Sequence, residues 1–136
     1  MKPGRFIIGI VVVTIILFIG DGVIHGAILT PQWKAIMASN GKSWARSNNP
    51  GVFAVYALLK AISIVSLYVL LLPRFGRGIR NAGVAGAFVW LLAVPTPLIG
   101  LLPMKFFPPS FAGQWSLLAL ATTLIAAVVG GLIYRE

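Results

Sequence analysis

The sequence has no cysteine, two acidic residues and one histidine. The missing cysteines exclude disulfides, thiolate metal sites and cysteine nucleophiles. One histidine and two carboxylates, Asp21 and Glu136, are too few ligands for a metal site. A haem held by two histidines would need a second chain. No nucleophile elbow, phosphate loop or metal motif occurs, so neither a catalytic residue nor a cofactor is expected. Charge of either sign is scarce: 10% of residues are charged, against ~25% in a soluble domain.

What fills the chain instead is apolar. Of 136 residues, 59% are hydrophobic, and the mean hydropathy is +0.98. That is the composition of an integral membrane protein, with length for one compact domain. The net charge of +9 does not point to nucleic acid. The basic residues lie between and at the ends of apolar runs, a pattern that fits a lipid bilayer with anionic headgroups.

About 20 apolar residues cross a ~30 Å bilayer core as a helix. Four stretches meet that length: about 6–29, 52–72, 81–104 and 112–134. The first follows a short basic start and resembles a signal peptide. It is longer than a typical signal core, holds Asp21 and His25, and has no small-x-small site before Asp21, so it reads as a span. Thr30-Pro31 then signals a helix start, with Thr30 as N-cap. Trp33, Ile36 and Met37 share one face, which predicts a short interfacial helix over 31–39. Asn48-Asn49-Pro50-Gly51 is a turn, and Pro73 ends the second span. Pro95-Thr96-Pro97 removes two backbone donors and breaks or kinks the third. Pro108-Pro109 lies in the loop before the fourth. Short connections predict an all-α, four-helix up-down bundle.

With the N-terminus in the cytoplasm, Lys2, Arg5, Arg74, Arg77, Arg80 and Arg135 lie inside, and Lys34, Lys42, Arg46 and Lys105 outside. The excess favours both termini inside. Arg74, Arg77 and Arg80 then meet lipid headgroups. Trp33, Trp44 and Trp115 mark the outer interface, while Trp90 lies deeper and packs inward.

Asp21 falls within membrane depth, where an ionised carboxylate costs roughly 2.5–3.5 kcal/mol on insertion scales. His25, four residues on, shares its helix face. Gly22 and Gly26 beside them admit a neighbouring helix. Counted from the outer edge, Lys60 lies level with Asp21, Tyr56 with His25, and Thr96 close to both. A polar pocket in the outer half is therefore expected, lined by Asp21, His25, Tyr56, Lys60 and Thr96. The inner half is expected to be dry, with Ala82/Gly86 and Gly83/Ala87 level with Ala126/Gly130 and Ala127/Gly131. Two readings of Asp21 and Lys60 stay open. One is an ion pair that fixes helix register; the other is a proton or substrate site. The first makes the chain a structural or accessory membrane protein, without an enzymatic role. The second makes it a small proton-coupled transporter using Asp21 and His25, with the helix-three break as gate. A weaker third is a membrane enzyme or a lipid- or amphiphile-binding protein that uses the pocket for an amphiphile.

The stretch His25-Gly26-Ala27-Ile28-Leu29-Thr30-Pro31-Gln32-Trp33 and the ending Gly130-Gly131-Leu132-Ile133-Tyr134-Arg135 resemble small bacterial four-helix membrane proteins of unassigned function. The likeness covers the two ends. It implies a bacterial inner-membrane protein, alone, as a homo-oligomer or within a larger membrane complex, and supplies no activity. Small multidrug exporters, which also carry a carboxylate in helix one, offer an analogy, but Lys60 and the long first loop depart from their pattern.

Overall fold

The computed structural model describes residues 2–44 and 49–134. The expected positions of Asn48, Arg46 and Arg135 lie outside these residues. Helix α1 spans Pro3–Val23 and runs into a wide π turn, Ile24–Ile28. Helix α2 spans Thr30–Ser39, α3 Pro50–Phe75, α4 Ile79–Ala93, α5 Pro95–Leu101 and α6 Pro109–Ile133, with a short 3₁₀ turn at Leu102–Met104 before α6. Four stretches are long and apolar enough to cross a membrane: Pro3–Ile28, Pro50–Phe75, Ile79–Met104 and Pro109–Ile133.

Prolines begin elements here as often as they break them. Pro3, Pro50, Pro95 and Pro109 each stand in a first turn, where the missing N–H has no helical partner to lose. So Pro109 opens α6 and is not part of the loop expected there. Asn49 caps α3 by accepting the Gly51 N–H at 3.0 Å. Pro73 does not end α3. The helix runs on to Phe75 and closes with Gly76 N–H donating to the Leu72 carbonyl at 2.8 Å. The chain then turns through Gly76 (φ 70°) and Gly78 (φ 121°), angles that a side chain would resist. Buried Asn81 ties this turn, its Nδ2 donating to the Gly76 and Tyr68 carbonyls at 3.0 Å each. Arg74, Arg77 and Arg80 stand exposed around it.

Helix α1 packs on α3 and α6, and α4 packs on the same two. Small residues set the spacing. Gly130 of α6 accommodates Val13 of α1, and Gly131 faces Ala82 and Tyr68. Gly86 of α4 lies on Ala127. The α4–α6 register is therefore Ala82 with Gly131 and Gly86 with Ala127, while Gly83 faces nothing within 4 Å. Val13, Leu17, Ala57, Ala61, Ile64 and Val65 fill the centre. The inner half is not purely apolar, since it holds Asn81, Tyr68 and Tyr134 buried. The outward faces are apolar, with Leu70, Leu117 and Ile125 at least 60% exposed.

A methyl at Gly86 would lie 2.7 Å from Ala127 Cβ. Gly86→Ala should lose about 1–3 kcal/mol through forced separation of α4 and α6. Gly83→Ala should be neutral or slightly stabilising. Thermal unfolding in detergent compares them, and equal losses would contradict this register.

Candidate functional site

Asp21 lies in the last turn of α1, 4% exposed. Neither carboxylate oxygen receives a hydrogen bond among the described residues, and Oδ2 is fully buried. The i→i+5 bond from Leu29 N–H to the Ile24 carbonyl, 2.8 Å, widens the next turn. Such turns strand a carbonyl. Here Thr30 Oγ1 donates to the His25 carbonyl at 3.1 Å. Thr30 therefore sits inside α2 and caps the π turn; Leu29 takes the N-cap position expected for Thr30.

His25 is held by rings on three sides. Trp33 Nε1 donates to its Nδ1 at 3.0 Å. Trp115 meets it edge-on at 4.6 Å between centroids, and Phe53 stacks at 5.8 Å. An accepting Nδ1 leaves the ring proton on Nε2, which makes no hydrogen bond among the described residues. Trp33 also stacks on Trp44 at 5.1 Å and meets Trp115 at 5.6 Å. The three tryptophans expected as a belt are thus gathered into one cluster over His25. Trp90 packs inward as its position suggested, and its Nε1 donates to the Ser116 carbonyl at 2.7 Å.

Asp21 and His25 line a cavity of about 190 Å³ between the end of α1 and the start of α3, walled by Phe18, Phe53 and Trp44. Gly22 and Gly26 form its rim; both are exposed, and among the described residues neither would bring a Cβ within 4 Å of a neighbour. No helix of the described residues occupies that glycine strip.

The other expected members lie elsewhere. Lys60, 4% exposed, donates to Thr123 Oγ1 at 3.3 Å and lies 5.3 Å from the Tyr56 ring centre. It makes no hydrogen bond with the Asp21 carboxylate. Lys60 and Tyr56 line a separate groove of about 330 Å³ between α3 and α4. Tyr56 Oη donates to the Ala93 carbonyl at 3.1 Å. In an unbroken helix that carbonyl would take the N–H of residue 97, which is Pro97 and has none. Tyr56 therefore repairs the break at Val94 (φ −119°, ψ −74°). Pro97 borders an apolar cavity of about 300 Å³ with Tyr56 and Trp115. Thr96 is exposed and lines none of these cavities. The single five-residue pocket is thus corrected to an Asp21–His25 cavity and a distinct Tyr56–Lys60 groove, with Thr96 outside both.

Sequence reasoning missed Thr123 as the partner of Lys60 and Trp33 as the donor to His25. Adjacent Thr122 and Thr123 inside an apolar run were the available signal for the first. Among the described residues, no three His, Asp, Glu or Cys side chains converge. The site's own groups offer a carboxylate acceptor, an imidazole N–H donor and aromatic faces.

Tyr56→Phe should strand the Ala93 carbonyl and cost about 1–3 kcal/mol of stability. Thr96→Val should leave stability unchanged. Unfolding in detergent separates the two, and a larger loss for Thr96→Val would put Thr96 back inside the structure. Compared with protein families, curated proteins and solved structures, the chain gives no match.

Proposed function

We propose that the chain is a small integral membrane protein of the accessory type, which binds an amphiphile in its Asp21–His25 cavity and carries out no reaction. Its four spans form an up-down bundle in the bacterial inner membrane, with both termini cytoplasmic and the cavity in the outer half. Packing supports the bundle, since contacting neighbours such as α1 with α6 and α4 with α6 run antiparallel. The outward surface supports insertion. So much exposed aliphatic area would associate in water, whereas a bilayer accepts it. The basic excess on one side supports the orientation. Arg74, Arg77 and Arg80 contact headgroups of the bilayer, the chain's first partner.

One observation carries the binding role. Asp21 is buried at a cavity wall without a hydrogen-bond donor, while Lys60 is engaged with Thr123. A register-fixing ion pair would bring those two groups into contact. A buried acceptor left open costs about 1–3 kcal/mol, and a ligand that satisfies it recovers that cost.

A proton-coupled transporter using Asp21 and His25 is the second reading. It is favoured by two irregular points at similar depth, the π turn at His25 and the break at Val94. Against it, the Ala93 carbonyl is already capped and the break borders a different cavity.

The chain's lack of cysteine makes a labelling test clean. Gly26→Cys should react with a lipid-soluble maleimide, and added amphiphile should slow it. Ala126→Cys, at 0% exposure, should react only after unfolding. Labelling of Gly26→Cys by an impermeant reagent from both membrane faces would favour the transporter. Reactivity no greater than that of Ala126→Cys would remove the cavity reading.

A further inference from the structure

The ligand class follows from what the cavity offers and lacks. Among the described residues, its one charged wall residue is Asp21, whose oxygens have no donor there. Its other walls include the rings of Phe18, Phe53 and Trp44. A carboxylate among aromatic faces disfavours anions and suits a group that brings N–H donors and positive charge. His25 adds no competing cation, because its Nδ1 is an acceptor for Trp33. Lys60 on α3 makes no hydrogen bond with Asp21 and is engaged by Thr123 and the Tyr56 ring. The rim is the exposed Gly22–Gly26 strip, so an apolar tail can leave the cavity sideways along the outer face of α1. About 190 Å³ holds a headgroup and the first part of such a tail, not a whole lipid.

We infer that the Asp21 cavity binds the protonated head of a lipophilic amine. The ammonium donates to the Asp21 carboxylate, its first methylenes lie on Phe18 and Phe53, and its chain runs out over Gly22 and Gly26. This rests on the cavity reading above and narrows it to one chemical class.

The test uses the full chain in nanodiscs of zwitterionic lipid. Trp44 in the wall, with Trp33 beside it, reports occupancy by fluorescence. The probes are dodecylamine, dodecanol, dodecanoate and dodecyltrimethylammonium. Dodecylamine should give a saturable change. The alcohol and the quaternary amine should bind more weakly, since the first lacks charge and the second lacks N–H. Dodecanoate should be weakest. Asp21→Asn should weaken dodecylamine roughly 10- to 100-fold, the loss of a charged hydrogen bond. Gly26→Leu fills the rim without touching Asp21 and should weaken every probe. Lys60→Met removes a positive charge near Asp21 and should tighten amine binding. Circular dichroism confirms that each variant is folded.

Equal binding of dodecanol and dodecylamine, unchanged in Asp21→Asn but lost in Gly26→Leu, would overturn the amine class and leave the amphiphile cavity standing. Insensitivity of every probe to Gly26→Leu would overturn both. Loss of amine binding in folded Lys60→Met equal to that in Asp21→Asn would also overturn the inference, by making Lys60 part of the site.

Discussion

A backbone donor or acceptor buried among packed helices has no water to satisfy it. The arrangement of this chain follows largely from that constraint. Several irregularities in its helices free a backbone group that a side chain then meets. The π turn after α1 is met by Thr30. The Pro97 break is met by Tyr56 from the neighbouring helix. The tight α3–α4 turn is met by Asn81, and Trp90 reaches across to the Ser116 carbonyl. Lys60, the one cation buried among the described residues, is met by Thr123 and the Tyr56 ring. Three buried side-chain oxygens among the described residues are left without a donor, Gln32 Oε1, Asn81 Oδ1 and Asp21 Oδ2, and of these the Asp21 oxygen belongs to a carboxylate.

The packing explains why the carboxylate stays open. Small residues let α6 close tightly on α1 and α4, at Gly130 with Val13 and Gly86 with Ala127. This fixes the end of the four helices that carries the termini and leaves the other end to large aromatic side chains. There Trp33, Trp115 and Phe53 hold His25. The cavity lies beside it, between the end of α1 and the start of α3. Lys60 meets Thr123 of α6. Tight packing at one end and aromatic packing at the other therefore produce an unpaired acid beside a ringed histidine.

The helices were legible because four apolar runs of spanning length, separated by proline, glycine and asparagine, admit few other structures. Asp21 and His25 were legible as a pair because four residues along a helix return to one face, and both do line one cavity. Depth counting levelled Lys60 with Asp21, but no hydrogen bond joins the two. It failed on direction. Residue counts give height along a helix but not rotation about it, so Lys60 was read as facing Asp21 when it faces Thr123. Thr96 failed for a related reason. The non-helical angles at Val94 reset the rotation of everything after it, and Thr96 emerges on the outside. Pro73 misled because a proline in a last turn removes one bond without stopping the turns beyond it. Trp33 was read as an interface anchor because sequence cannot show that α2 folds back over the π turn.

The central claim is that Asp21 is an open acid in a cavity and not one half of a locked ion pair. With only Asp21 and Glu136 as acidic side chains, the carboxyl region of the infrared spectrum is nearly empty. Subtracting the Asp21→Asn spectrum isolates the Asp21 band. The account predicts a band that shifts when an amphiphile is added and moves little in Lys60→Met. A band indifferent to every amphiphile and strongly displaced by Lys60→Met would contradict it, and would restore the ion pair as the reason for both residues.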